Sequence, residues 1–594
     1  MAQLQPLPIM PPPGVVMTES RRVVEARWID SHNMRFVKKL PQKIGGWVRA
    51  YAEATSGAPR ALHAWRDNAS IQYLAAGTYR KLYVYDDNLE QNDITPFSQQ
   101  GTLGANPIST VSGSNIVTVT DPGHGLIVGD TIYLSGADSV GGIDPNGAWI
   151  VYTVIDASNY TFLAGANASA TETGGGSDID YAYEINVGVE TGAYGYGWGI
   201  GGWGLGTWGT ERSISTIFIE PRVWSLDHFG QLLLAAYNGG SIYKFDPTSS
   251  RPWGRAEVVD ASAPDNCRAV FVTPERFVFA LLDNMQVAWC SQGDYTIWTP
   301  AIGNTANIRT LTEGTKLVSG RVLADFVSLV WTDAALYRFQ YTGSTYVYNS
   351  SMVAKDCGLI APGAAVTAGG VAYWMGPDTF WMYDGAVRTM PNVEDIRAVV
   401  YKNLRTDYVY QATAVFVPKY NEVWFFYTEI GHENPSAGLI FSIENQCWAP
   451  LDIGRVSGTH FTQGDTRPYM GMPDGVIMQH ENGTDDDGVA LPTRLVLAPY
   501  AMAEGGLHMD CEYLVPDFKD QAGDISLTVV TWDRLNDSAP EDTASAVIGA
   551  SDTGTIDLRV SGRHIGLVLE TASLGSYYRF GKPVAFVKQS GRRT

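Results

Sequence analysis

The chain has 594 residues, of which 45% are hydrophobic and 17% charged, and its formal net charge at pH 7 is −21. This length exceeds one ordinary hydrophobic core, so we expect several domains. The negative charge argues against a protein that grips DNA tightly, because that affinity comes from Lys and Arg neutralising phosphates. Abundant Gly, Tyr and Trp favour strands and turns over helices.

The first fifty residues differ in charge from the rest of the chain. They carry eight basic side chains against three acidic ones, and they begin with the Pro-rich stretch PLPIMPPPG, which favours an extended backbone. We predict that residues 1–50 form a basic arm that docks onto an acidic partner surface. The candidate docking residues are Arg21, Arg22, Arg27, Arg35, Lys38, Lys39 and Lys43.

Cysteine usage and hydropathy bear on the compartment. The five cysteines are widely spaced and form no C-x-x-C pair, so we predict reduced, mostly buried thiols and assembly in a reducing cytoplasm. The chain shows no signal peptide at its start, and no apolar run approaches the roughly 18 residues that span a bilayer. We therefore expect no membrane insertion.

One hairpin pattern recurs along the chain: an apolar strand, a turn with Gly, Asp or Asn, and a strand with alternating aromatic residues. Tyr243 and Phe245 illustrate the alternation, since residues two apart share one face of a strand. Recurrence of such units predicts an irregular β-propeller of six or seven blades in residues 51–106 and 177–490, with a set of packed sheets as the alternative. The hairpins span residues 71–87, 231–247, 276–291, 327–341, 370–385, 421–448 and 467–483.

Three further segments complete the predicted all-β organisation. Residues 107–176 contain five or six short strands and predict a small inserted β-barrel. Residues 386–411 hold the best helical pattern, with Val393, Ile396, Val400 and Leu404 on one face. Residues 491–594 alternate as strands and predict a β-sandwich-like C-terminal domain.

The stretch GAYGYGWGIGGWGLGTWGT, residues 192–210, alternates glycine with aromatic residues. Such dense glycine opposes a membrane-active helix, and a base-stacking platform would carry Lys or Arg, which this stretch lacks. We predict a loop whose rings pack against protein, within or between subunits. The candidate packing residues are Tyr194, Tyr196, Trp198, Trp203 and Trp208.

Signatures of catalysis are missing from the sequence. It contains no G-x-S-x-G, H-E-x-x-H or P-loop motif, so we predict that the protein is not an enzyme and uses no cofactor or metal. The acidic run TDDDG at 484–488 could hold Ca²⁺ but lacks the later Glu of a full calcium loop, which favours an acidic turn.

The order of the strand motifs is similar to that of a family of bacteriophage tail proteins, the nozzle or tail tubular protein B of short-tailed phages. The resemblance covers most of residues 65–520. The inserted segment resembles the phage module named after the first-catalytic-cysteine half-domain of ubiquitin-activating enzymes, through DPGHGLIVGD and NYTF, and this implies a fold only. The motifs that carry the tail-protein resemblance include YLAAGTYRKLYVYDD, YGYGWGIGGWGLGTWG, RVWSLDHFGQLLLAAYNGGSIYKFD and LVWTDAALYRFQYTG.

The resemblance implies a structural role in a virion tail assembled in the host cytoplasm. Copies, usually six, would form a ring below the portal and its adaptor, surround exiting double-stranded DNA without reading its sequence, retain packaged DNA and present surfaces to tail fibres or spikes. A strongly acidic body would repel the DNA phosphates and keep friction low. The alternatives are a propeller at the tail tip that binds or cleaves polysaccharide, and an adhesin or fibre-attachment protein with three-fold symmetry.

Overall fold

The computed structural model describes residues 3–19, 24–194, 218–248, 254–324, 326–344, 346–503, 506–535, 539–552 and 554–591. The protein is all-β, with a β-propeller core, an inserted barrel-like sheet and a C-terminal domain of packed sheets. Within the described ranges, no helix has both the length and the apolar character needed to cross a membrane.

Five short strands precede the propeller, and most of them pair with the far end of the chain. Pro6 lies opposite Phe586, Ser31 opposite Leu495 and Gln42 opposite Arg579. The N-terminal segment is therefore an integral part of the C-terminal domain. These strands are β1 (Gln5–Pro8), β2 (Trp28–His32), β3 (Met34–Val37), β4 (Leu40–Lys43) and β5 (Trp47–Arg49).

The first blade is a four-stranded antiparallel meander. Trp65 lies opposite Tyr73 in its first strand pair, and both side chains are buried. The large rings fill the space between this blade and the next one. The strands are β6 (Ala61–Arg66), β7 (Gln72–Gly77), β8 (Leu82–Tyr85) and β9 (Gln91–Asp93).

A sheet of eight strands is inserted after the first blade and wraps around its own core of apolar residues. Its first and last strands pair, with Phe97 opposite Glu184, so the two ends of the insertion lie side by side. The strands extend from residue 97 to residue 184, beyond the expected 107–176 at both ends. They are β10 (Phe97–Thr102), β11 (Ile108–Thr110), β12 (Ile116–Thr120), β13 (Thr131–Ser135), β14 (Gly147–Asp156), β15 (Asn159–Leu163), β16 (Glu172–Gly174) and β17 (Asp180–Glu184).

Six further four-stranded sheets follow. A short pair, β18 (Ala193–Tyr194) and β19 (Phe218–Ile219), precedes them. Blades two to four comprise β20 (Trp224–Phe229), β21 (Leu232–Tyr237), β22 (Ile242–Phe245), β23 (Glu257–Val258), β24 (Cys267–Val272), β25 (Val278–Leu282), β26 (Gln286–Trp289), β27 (Asn307–Thr310), β28 (Leu317–Ala324), β29 (Val327–Thr332), β30 (Ala335–Tyr341) and β31 (Tyr348–Lys355).

Blades five to seven complete the ring, and the outer strand of the seventh is the N-terminal strand β5. These blades comprise β32 (Ala365–Ala368), β33 (Val371–Met375), β34 (Phe380–Tyr383), β35 (Val387–Thr389), β36 (Thr413–Val417), β37 (Glu422–Tyr427), β38 (Ala437–Ser442), β39 (Cys447–Leu451), β40 (Ser457–Thr459), β41 (Tyr469–Gly471) and β42 (Ile477–His480).

The first strands of successive blades pack side by side, and β40 of the seventh blade returns to β6 of the first. The β-propeller prediction is thus confirmed, with seven blades. Each hairpin predicted from the sequence contains the two middle strands of one blade. These middle strands are buried on both sides, which explains why their apolar and aromatic patterns were the most visible.

The predicted helix lies between the fifth and sixth blades. It is α1 (Glu394–Asn403), and Ile396 and Val400 are buried on its inner face as expected. Two short 3-10 turns follow at Thr406–Gln411 and Pro418–Tyr420.

The C-terminal domain contains three sheets, each completed by N-terminal strands. Trp28 from β2 and Trp424 from the sixth blade belong to one continuous apolar core with Leu567, which joins this domain to the propeller. The strands are β43 (Thr493–Leu497), β44 (Tyr500–Ala501), β45 (His508–Val515), β46 (Phe518–Ala522), β47 (Ile525–Trp532), β48 (Asp542–Ile548), β49 (Ile556–Gly562), β50 (His564–Thr571), β51 (Tyr577–Phe580) and β52 (Val584–Gly591).

Candidate functional site in the propeller channel

A cavity of about 170 Å³ lies where the first strands of the blades converge. Most of its lining comes from the beginnings of these strands, because the first strand of each blade faces the propeller axis. Its charged lining residues are Arg60, Glu220, Arg268, Lys316 and Arg321. Among the described residues, the channel of this acidic protein is therefore lined by four cations and a single carboxylate.

Glu220 is the centre of an ion-pair cluster at this cavity. It accepts a hydrogen bond from Lys316 Nζ at 2.7 Å and pairs with Arg268, which also reaches Asp283 at 2.6 Å. Burial raises the pKa of Glu220, but the hydrogen bond from Lys316 and the charge of Arg268 outweigh it and leave the pKa below its ordinary value. Glu220 is therefore ionised at neutral pH.

Arg60 and Tyr410 connect the channel to the glycine-aromatic segment. The Arg60 guanidinium lies 6.0 Å from the centre of the Tyr410 ring, and Arg60 also donates to the carbonyl of Glu190. The Tyr410 hydroxyl accepts a hydrogen bond from the backbone N–H of Gly192 at 2.9 Å. The glycine-aromatic stretch thus starts beside the mouth of the channel.

A cluster of two histidines and an aspartate lies next to the cavity. Leu62 and Leu226 line the cavity, and His63 and Asp227 directly follow them on β6 and β20. His63 Nε2 lies 3.0 Å from His228 Nδ1, and Asp227 Oδ1 lies 3.8 Å from His63 Nε2 and 3.5 Å from His228 Nδ1. Three donor atoms from two neighbouring blades therefore converge on one point.

The backbone of the third blade orients the Asp227 carboxylate. Its Oδ2 accepts a hydrogen bond from the N–H of Val272 at 2.8 Å, and its Oδ1 accepts one from the N–H of His228 at 2.8 Å. Although burial raises the pKa of Asp227, its hydrogen bond from His228 and the nearby His63 lower it overall. The carboxylate is thus charged and held in one orientation.

Burial has the opposite effect on His63. It lowers the pKa of this imidazole to about 4, and the attraction of Asp227 only partly compensates. The guanidinium of Arg321, from the fourth blade, further disfavours a charged His63. His63 is therefore neutral at physiological pH, with a hydrogen on one ring nitrogen and a lone pair on the other.

The prediction of a basic docking arm is wrong for Arg35 and Lys43. Arg35 and Lys43 are fully buried, because β3 and β4 form part of the C-terminal domain. Arg35 forms ion pairs with Glu481 and Glu422, and Lys43 Nζ donates to the carbonyl and hydroxyl oxygens of Ser576 at 2.9 and 3.0 Å. Neither side chain can reach a separate partner in this fold.

The other members of the predicted docking set differ in position. Lys38 and Lys39 are exposed in the turn between β3 and β4, whereas Arg27 is half-buried. Arg21 and Arg22 lie outside the described residues. Among the described members of the set, Lys38 and Lys39 are therefore the most accessible to a partner.

The predicted aromatic packing residues fall largely outside the described part of the chain. Tyr194 ends the short strand β18, opposite Phe218. Tyr196, Trp198, Trp203 and Trp208 lie outside the described residues, so their contact with protein stays a prediction.

Local hydrogen bonds account for the acidic run. Asp486 accepts from the Trp47 indole, Asp487 from the N–H of Arg49 at 3.2 Å, and Asp485 from the N–H of Gly575 at 2.7 Å. The three carboxylates thus fix β5 and the C-terminal domain to the seventh blade, consistent with the acidic turn favoured from the sequence. The five cysteines are unpaired and buried, as predicted.

Sequence reasoning missed the cluster of His63, Asp227 and His228. His63 and His228 are 165 positions apart, with the inserted domain between them, so no spacing rule could connect them. The predicted propeller fold was the one feature that could have indicated this cluster. In a propeller, the first strands of neighbouring blades, here β6 and β20, lie side by side.

The fold defines the class of this protein as a seven-bladed β-propeller with one inserted and one terminal β domain. No protein-family model and no curated protein matches the sequence. Solved structures with a similar fold include the computationally designed Ika8 protein, at 10% identity and a TM-score of 0.33, covering 73% of this chain and 100% of that one.

Two natural propellers are also similar in fold. The WD40 β-propeller domain of Doa1 has 10% identity and a TM-score of 0.29, covering 65% of this chain and 97% of that one. BamB from Moraxella catarrhalis has 11% identity and a TM-score of 0.25, covering 43% of this chain and 81% of that one. These similarities concern the fold alone.

Proposed function

We propose that this protein is a structural subunit of a bacteriophage tail, and that copies of it form a nozzle ring around the path of the exiting DNA. The order of strand motifs that resembles tail nozzle proteins supports the tail assignment. The observation that most supports a ring of several copies is the narrow, charged propeller channel. It supports a DNA path outside the propeller.

The propeller channel is too small for a duplex. The cavity on the propeller axis has a volume of about 170 Å³, that of a sphere about 7 Å across, whereas the major groove of B-DNA alone is about 12 Å wide. Arg268, Lys316 and Glu220 pair at its wall. A DNA conduit would therefore be enclosed by several copies of the chain, with each propeller acting as one solid block of its wall.

The overall charge supports a wall of this kind. The chain carries 62 acidic against 41 basic residues, so a ring of copies would repel the phosphates of DNA moving through it. The cations at the propeller axis are held by carboxylates or backbone carbonyls and are turned inward. They would add little attraction for DNA outside the propeller.

The connection between the propeller and the C-terminal domain also fits a subunit that must resist mechanical force. Strands from the first fifty residues complete all three sheets of the C-terminal domain, and β5 completes the seventh blade. The propeller and the C-terminal domain share one apolar core. Such a body would keep its shape when packaged DNA presses on the ring.

Electron microscopy of the purified protein, alone and mixed with the head-to-tail adaptor of the same phage, tests the proposal. We expect a closed ring, usually of six copies, that sits coaxially on the adaptor. A protein that stays monomeric with the adaptor at micromolar concentration would contradict it. Release of reducing sugar ends from the host surface polysaccharide would instead support the alternative, a polysaccharide-cleaving propeller at the tail tip.

Adaptor docking has its own test. Reversing the charge of the exposed pair in a Lys38→Glu, Lys39→Glu variant should weaken adaptor binding if the β3–β4 turn meets an acidic surface. Lys402→Glu, an exposed lysine on α1, is the matched control. Truncating residues 1–50 is unsuitable, because it removes strands from the fold itself.

A further inference from the structure

We propose that His63, Asp227 and His228 form a binding site for one divalent transition-metal ion, such as Zn²⁺, between the first and second propeller blades. The site goes beyond the structural function proposed above and does not depend on it. It is open to a separate test on the isolated protein.

The spacing of the three donor atoms fits a tetrahedral metal. Zn²⁺ binds imidazole nitrogen and carboxylate oxygen at about 2.0–2.2 Å, which places neighbouring ligand atoms of a tetrahedron about 3.3 Å apart. The three distances among His63 Nε2, His228 Nδ1 and Asp227 Oδ1 are 3.0, 3.5 and 3.8 Å. Shifts of a few tenths of an ångström would make them equal.

The donor types favour transition metals over Ca²⁺ or Mg²⁺. Two imidazoles and one carboxylate suit Zn²⁺, Co²⁺ or Ni²⁺, whereas Ca²⁺ and Mg²⁺ prefer shells of oxygen atoms. The donor set therefore points to a transition-metal ion.

The surroundings hold the ligands in place. The Val272 N–H holds Oδ2 of Asp227, and Oδ1 accepts one hydrogen bond from the His228 N–H and keeps its second lone pair for a metal. The side chains of His63 and Asp227 are 19% and 23% exposed, which leaves a route for an ion and for a water as fourth ligand.

Arg321 limits the affinity of the site. Its positive charge acts on both His63 and Asp227 and opposes a second cation. We therefore expect weaker binding than at a structural zinc site.

Without a metal, the cluster would be a hydrogen-bond network in which one neutral imidazole donates to the other. If the cluster serves only as such a network, Zn²⁺ should not bind to the protein with one-to-one stoichiometry. The two readings are separable by titration.

The experiment uses untagged full-length protein, first treated with a chelator and then titrated with Zn²⁺ by calorimetry and with Co²⁺ by visible absorption. We expect one ion per chain in the wild type, and at least tenfold weaker binding in the His63→Gln, His228→Gln and Asp227→Asn variants. His460→Gln, at a half-buried histidine just after β40, is the matched control and should bind like the wild type.

Metal-free melting curves check that each variant is folded. Wild-type protein that binds neither ion with one-to-one stoichiometry would overturn the proposal. So would folded variants that bind as tightly as the wild type. The titrations do not depend on ring assembly. A negative result for the metal site therefore does not contradict the proposed role in a tail.

Discussion

Arg35 and Glu481 form a fully buried ion pair that joins the N-terminal segment to the end of the seventh blade, across 446 positions of sequence. Glu422 from the sixth blade lies 3.6 Å from the same guanidinium, whose face also covers the Tyr420 ring at 3.7 Å. One arginine thus links the N-terminal segment to two blades.

Replacing Arg35 with Met should destabilise the protein by about 3–5 kcal/mol, because the Glu481 carboxylate would stay buried without its counter-charge. The urea midpoint, followed by Trp fluorescence, measures the loss. Lys38→Met removes an exposed cation from the same segment and should change the free energy of unfolding by less than about 0.5 kcal/mol. Equal effects of the two changes would contradict the buried pair.

Glu422 should make stability depend on pH. Burial, more than the opposing charge of Arg35, raises the pKa of Glu422 to about 7. The folded state therefore keeps a proton that the unfolded chain releases near pH 4.5. The stabilisation from protonated Glu422 is complete below pH 4.5 and is lost as the pH rises to about 7.

The Glu422→Gln variant cannot titrate at this position, so its stability relative to the wild type should increase between pH 5 and pH 8. A gain of up to about 3 kcal/mol corresponds to the size of the pKa change. Urea titrations at both pH values measure it. Wild-type and variant stabilities that stay parallel across this range would show that Glu422 is already ionised at pH 5.

Trp47 should be the main anchor of the strand that closes the propeller. Its side chain is buried, its ring stacks on His480 at 4.9 Å, and the Arg455 guanidinium lies 4.7 Å from it. Trp47→Ala should cost about 3–5 kcal/mol. The neighbouring Val48 is 37% exposed, and Val48→Ala should have a small effect on the same thermal unfolding measurement.

The inserted sheet should be removable. Phe97 and Glu184 are paired at its base, and Ile185 N donates to Pro96 O at 3.0 Å just below it. Replacing residues 97–184 with Gly-Gly should leave a folded propeller, since Lys81 keeps Asp93 as a partner at 3.0 Å after losing Glu184. Circular dichroism and a cooperative thermal transition check this. An insoluble or molten product would show that the propeller needs the insertion.

The sequence predicted the blades well because each middle hairpin carries its own turn residues and aromatic alternation. It failed for the first fifty residues, where Arg35 and Lys43 suggested a solvated arm. Their partners Glu481 and Ser576 lie more than 400 positions away, and no local pattern announces such a pairing. The cluster of His63 and His228 was missed for the same reason, since only the closed ring brings the two strands together.

The pairing of β5 with the seventh blade also delays the completion of folding during synthesis. Trp47 and its partner Asp486 are 439 positions apart. At synthesis rates of about 5–20 residues per second, β5 waits roughly 20–90 s for its partners to leave the ribosome. During that time β5 is an unpaired edge, so the newly made N-terminus is open to pairing with another chain unless a chaperone covers it.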